Sequence, residues 1–70
     1  MKYLIVIEKG EHNYSAYIPD LPGCIVAGKT IPEIKDMMDK AVKMHLEGMR
    51  EDGEPIPEPS TTADYIEITA

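Results

Sequence analysis

Tryptophan and phenylalanine are absent from this sequence, cysteine occurs once, and acidic residues outnumber basic ones thirteen to seven. Each shortage excludes something. A lone Cys24 makes no intrachain disulfide, and with His12 and His45 standing apart from it there is no C-x-x-C or H-x-x-x-H spacing to hold a metal. No cofactor and no metal site is expected. A net charge of −6 argues against direct nucleic-acid binding, which needs a basic footprint, and suits a basic partner. No stretch approaches the ~20 apolar residues of a membrane span. The apolar start is too short for a signal peptide and has no small-residue cleavage site, so a cytoplasmic location with no membrane contact is expected. Seventy residues allow one domain and exclude an enzyme whose site lies between two.

Those absences also predict a partner. Below about 70–80 residues a single core rarely supplies more than ~3–5 kcal/mol, and small chains add a staple. Disulfide and metal being unavailable, oligomerisation is the staple left, as a dimer or tetramer.

What is present reads as alternating elements. Residues 2–8 are β-branched and aromatic and predict a strand, with Tyr3/Ile5/Ile7 on one face and Leu4/Val6/Glu8 on the other. A turn at Lys9–Asn13 returns the chain into a second, antiparallel strand over Tyr14–Ile18. Pro19-Asp20-Leu21-Pro22-Gly23 is a rigid loop, and residues 24–29 predict a third strand. Thr30-Ile31-Pro32-Glu33 is a helix start, with a capping threonine, a glutamate three residues on and a proline in the first turn. From there Ile34, Met38, Ala41, His45 and Met49 share one arc, opposite Asp36, Asp39, Lys40, Lys43, Glu47 and Arg50. Gly53, with Pro55 and Pro57 beyond it, ends the predicted helix, which spans 31–52. Residues 65–69 alternate Ile66/Ile68 against Tyr65/Glu67/Thr69, the period of a half-buried fourth strand. The fold class is α+β, in the order β-β-β-α-β, a small antiparallel sheet with one helix on one face. The first strand is apolar on both sides, and nothing else in the chain covers the second face, so another copy or another protein is expected there.

The chemistry-bearing residues read mostly as structure. Glu8, Asp20, Glu51 and Asp52 could gather round a divalent cation as nuclease carboxylates do, but no spacing demands it, and solvation is the simpler reading. His45 sits on the apolar arc without a nucleophile near it in sequence, and reads as a half-buried packing residue rather than a general base. Cys24 lacks a basic neighbour or helix N-terminus to activate it, and reads as a small core hydrophobe. The four tyrosines lack the basic residues that base stacking needs beside them, so they read as packing. Gly48 costs the helix about 1 kcal/mol, which points to close approach by another backbone.

Two longer motifs are more specific. Tyr14-Ser15-Ala16-Tyr17-Ile18-Pro19-Asp20-Leu21-Pro22-Gly23-Cys24, and the helix exit Glu51-Asp52-Gly53-Glu54-Pro55-Ile56-Pro57-Glu58-Pro59, closely resemble the HicB-like antitoxin family over almost the whole chain. The resemblance implies a partial ribonuclease-H-like fold and an oligomer. It also implies a non-enzymatic role: neutralising a small basic mRNA-cleaving ribonuclease of the HicA type by covering its RNA-binding or active surface. On that reading Asp20, Leu21 and Pro22 in the loop, and Glu47, Glu51, Asp52 and Glu54 at the helix exit, are the partner-binding residues, their carboxylates meeting the toxin's Lys and Arg. Many family members carry a further DNA-binding segment. Here residues 1–70 read as a single domain without one, so promoter binding is not expected. Two other functions stay open at this point: an orphan oligomeric module binding another protein or a ligand, and a vestigial metal-dependent nuclease using Glu8 and Asp20.

Overall fold

The computed structural model describes residues 1–69. Three strands, β1 (Val6–Lys9), β2 (Tyr14–Tyr17) and β3 (Ile25–Gly28), precede one helix, α1 (Ile31–Glu51). The sheet order is β1-β2-β3 and both pairings are antiparallel. Val6 pairs with Tyr17, and Tyr17 with Ile25. Alternation along β2 sets the faces: Ala16 and, just past the strand, Ile18 point inward and are buried, while Ser15 and Tyr17 face out. α1 lies mainly over β3 and β2, leaving β1 at the edge.

The core is Ala16, Ile18, Leu21, Cys24, Ile34 and Met38. Around it pack Tyr3, Ile5 and Ile7 from the first segment, and Ala41, Val42, Leu46 and Met49 from the helix. Cys24 Sγ lies 3.7 Å from Met38 Sδ. Burial raises the Cys24 thiol pKa, so the residue behaves as a core hydrophobe.

Both ends of α1 are capped as the residues dictate. Thr30 Oγ1 accepts from the Glu33 amide at 3.2 Å, and the Glu33 carboxylate accepts from the Lys29 amide at 3.3 Å. At the far end Gly53 takes φ 70°, a left-handed conformation that costs glycine nothing. The Gly53 amide then donates to Arg50 O at 3.2 Å and the Glu54 amide to Met49 O at 2.9 Å, the paired bonds of a Schellman motif. Asp36–Lys40 and Asp39–Lys43 form ion pairs along the exposed face.

The expected fourth strand is corrected. Among the described residues nothing after α1 forms a strand. Tyr65, Ile66 and Ile68 are 98%, 86% and 82% exposed. The alternation of that segment is real, but a strand is defined by its neighbour, and this segment has none within the chain. The β-β-β-α part of the predicted order stands; the final β does not. The first strand also enters the ladder later than expected, at Val6 rather than residue 2, because Pro19 has no N–H to extend β2 past Ile18. No helix among the described residues is long and apolar enough to cross a membrane.

Candidate protein-binding surface

The loop between β2 and β3 is a double turn. The Leu21 amide donates to Ile18 O at 3.0 Å, and the Cys24 amide to Leu21 O at 3.1 Å. Pro19 and Pro22 each occupy the second position of their turn, where a fixed φ is already suitable. Gly23 follows Pro22 at φ 89°, the value the third position of a type II turn requires. Two reversals in succession drive Leu21 inward and leave Asp20 and Pro22 outside. Leu21 is fully buried, so of the three loop residues expected at a partner contact its side chain has no surface to offer. Its place is the plug of the core. Pro22 is exposed and Asp20 half-buried.

The Asp20 carboxylate is already engaged within the chain. Its Oδ1 accepts from the hydroxyls of Thr61 at 2.7 Å and Ser60 at 3.1 Å, and its Oδ2 from their amides at 3.1 and 3.0 Å. The Thr61 hydroxyl, then the two amides, lower its pKa from 3.8 to about 2. A second tie lies close by: Tyr3 donates its hydroxyl to Pro57 O at 2.6 Å. Extending the β1–β2 register by three residues brings Tyr3 opposite Asp20. The proline-rich segment after α1 is thus strapped across one end of the β1–β2 hairpin. Ser60 and Thr61, which read in the sequence as a polar connector, are its fastening. Only their small hydroxyls hinted at this, since the acceptor lies forty residues away.

The remaining expected contacts lie together. Glu47, Glu51, Asp52 and Glu54 are all exposed around the C-terminal end of α1. Carboxylates belong poorly there, because the helix terminus already carries partial negative charge. Arg50 is the basic residue of the last turn. This acidic exit therefore does not serve the helix and is available to a cationic surface.

The nuclease arrangement does not assemble. Glu8 pairs with Ser15 at the opposite end of the hairpin from Asp20. Asp20 lies in the double turn beyond the far end of β2, and its carboxylate is held there by Ser60 and Thr61. Among the described residues no three His, Cys, Asp or Glu side chains gather as metal ligands. His45 is half-buried and borders a shallow hollow with Cys24, Ala41 and Met44, with no activated nucleophile beside it.

One surface feature was not anticipated residue by residue. A groove opens between the edge of the sheet and the helix, with Tyr3, Ile5 and Ile18 on one wall and Lys35, Met38 and Val42 on the other. Its only sequence signal is that residues 3–7 are apolar on both faces.

Comparison with known proteins places this architecture. Residues 3–69 match the model of the HicB-like antitoxin of bacterial toxin–antitoxin systems. An uncharacterized 14.9 kDa protein from the rep-hol intergenic region of Haemophilus phage HP1 is 41% identical over 66 residues, covering 94% of this chain and 50% of the phage protein. The chain therefore spans half the length of that relative. A UPF0150 protein of Archaeoglobus fulgidus is 40% identical over 57 residues, covering 77% of this chain and 83% of the relative. Among solved structures, a chain of a HicA3 and HicB3 toxin–antitoxin complex superposes with a TM-score of 0.72 at 33% identity, covering 86% of this chain and 70% of the other. With its three-stranded sheet, its single helix and a match over almost its full length, the chain belongs to the HicB-like antitoxin family.

Proposed function

We propose that this protein is the antitoxin half of a toxin–antitoxin pair. In that role it is a non-enzymatic module that binds a small basic ribonuclease of the HicA type in the cytoplasm and keeps RNA from its surface. The observation that carries this reading is the likeness to a chain of the HicA3 and HicB3 complex. The acidic helix exit agrees with it. Glu47, Glu51, Asp52 and Glu54 present carboxylates to solvent where the helix has no use for them, and an RNA-binding toxin presents Lys and Arg that the same carboxylates pair with. Pro22 and Asp20 flank the contact as rigid loop residues, Asp20 chiefly by fastening the strap. The completed unit is the partial ribonuclease-H-like β-β-β-α-β, its last strand formed only when residues 65–69 find a neighbour.

The test is inhibition. A HicA-type toxin is incubated with labelled mRNA and rising amounts of this protein, and complex formation is followed by size-exclusion chromatography. Cleavage stops at stoichiometric protein, and the triple variant E47K/E51K/D52K loses roughly tenfold or more in affinity with a melting temperature no lower than that of the wild type. Uninhibited cleavage in the presence of excess folded protein refutes the toxin-neutralising role. Full inhibition by the triple variant refutes the contact assignment alone.

A further inference from the structure

We propose that the hollow between α1 and the edge of β3 seats an apolar side chain of the basic partner, with Met44 and Ile25 as its anchors and Glu47 and Glu51 as its charged rim. The inference rests on the toxin-binding reading and adds to it where the contact is centred.

The hollow is a recess because its lining is small where its borders are large. Gly23, Cys24 and Ala41 line it, and Met44, His45 and Ile25 stand around it. Two of those borders are apolar side chains turned to water: Met44 is 74% exposed and Ile25 68%. β3 is an edge strand, so nothing in the chain lies beyond Ile25 on that side. The helix contributes more apolar surface here than the sheet covers. Ile34 and Met38 are its fully buried residues, whereas Met37, Ala41, Met44 and Gly48, at steps of four, three and four, form a second stripe beside that buried face. Met37 and Met44 on this stripe are exposed. Methionine suits an adaptable contact, being unbranched and polarizable. At Gly48 the wall is lowest, since a Cβ there would meet nothing within 4 Å.

Charge selects the occupant. Lys40 and Lys43 are tied to Asp36 and Asp39 along the helix. Arg50, two residues past Gly48, points to the far side of α1. Lys29 lies at the other end of β3, with its amide on Glu33. Glu47 and Glu51 flank the stripe, and neither is in an ion pair among the described residues. The free charge at this recess is therefore negative. A second copy would bring the same carboxylates against these, in a chain of net charge −6, whereas a basic RNA-binding surface brings Lys and Arg. An apolar centre with a charged rim is the arrangement of a protein contact. Pro22 is exposed and adjoins Gly23, so the loop and the helix exit, far apart in sequence, are two borders of one recess.

The experiment is calorimetric titration of the full chain with a HicA-type ribonuclease at low and high salt. The variant I25D/M44D changes two exposed side chains and keeps the circular dichroism of the wild type. Its two added carboxylates would tighten binding if charge alone governed it; the expected result is a loss of about a hundredfold or more at both salt concentrations. Gly48→Gln places a side chain in open space without disturbing the fold, and lowers affinity about tenfold by blocking the recess. The loss in E47K/E51K, by contrast, shrinks at high salt. Wild-type affinity in I25D/M44D or in Gly48→Gln overturns this inference and leaves the toxin-binding reading standing. A folded wild type that does not bind the ribonuclease overturns both. A wild type that self-associates without the ribonuclease, and is dissociated by I25D/M44D, gives the recess to a second copy and overturns the inference as well.

Discussion

Truncating Leu21 to alanine tests whether the double turn is a core plug or a contact loop. Leu21→Ala removes three carbons from a fully buried side chain. At about 0.8 kcal/mol per buried methylene the transfer loss is about 2.4 kcal/mol. The turns on either side are held by their own hydrogen bonds and by two prolines, so the site closes up poorly and a cavity term adds to this. The total is about 3–4 kcal/mol. A chain of this length has a whole stability of roughly 3.5–10 kcal/mol. The loss is therefore a third of the total or more. With about 4–8 °C of melting temperature per kcal/mol for so small a domain, the midpoint falls by about 12–30 °C. The assay is thermal and urea denaturation followed by circular dichroism at one fixed protein concentration, since any self-association would link stability to concentration. Two controls bracket it. Leu21→Met keeps the volume and costs less than about 1.5 kcal/mol. Pro22→Ala alters an exposed neighbour and costs about 0.4–1 kcal/mol through the unfolded chain. A melting temperature for Leu21→Ala within about 4 °C of wild type refutes the plug and returns Leu21 to the surface.

Other consequences are open to measurement. Asp20 has a depressed carboxyl pKa, about 2 in the folded chain against 3.8, so its stabilisation is complete above pH 3.8 and lost as pH falls through about 2. In an acid titration followed by NMR, the Ser60 and Thr61 amide signals move with that midpoint, and Asp20→Asn abolishes the transition. Gly48→Ala meets no atom within 4 Å and stabilises the helix by about 0.5–1 kcal/mol, read as a higher urea midpoint; a lower one would reveal a close neighbour from another chain. Thr30→Ala removes the acceptor for the Glu33 amide and costs about 1 kcal/mol, measured in the same way.

The sequence disclosed the elements whose causes are local. Thr30, Pro32 and Gly53 mark the ends of α1 because capping depends on residues three or four apart. Ile34 and Met38 lie on the predicted arc and are the helix residues fully buried. What stayed hidden depends on distant partners. The Asp20 clamp joins residues forty apart, and neither side advertises the other. Leu21 sits in a loop of turn-forming residues, and composition alone does not say which of them a double reversal turns inward. Residues 65–69 carry a strand's alternation, but alternation specifies a face and leaves the neighbour undetermined. At the candidate surface the acidic exit could be read directly, because exposed carboxylates beyond a helix terminus need no tertiary knowledge to place. The groove along Tyr3, Ile5 and Val42 could not, since it exists only after sheet and helix have packed.

The strap across the hairpin has a kinetic consequence. Every strand pair in the sheet joins neighbours in sequence, and the helix follows directly. Such a body closes through short loops and needs little search, so it is expected to form early. The bonds from Asp20 to Ser60 and Thr61 close a far longer loop for a few hydrogen bonds at the surface. They are therefore the last native contacts made and the first broken in local opening, while the sheet and α1 stay folded beneath them. The segment after α1 is therefore expected to open before the body does, and limited proteolysis of the native protein is expected to cut within it first.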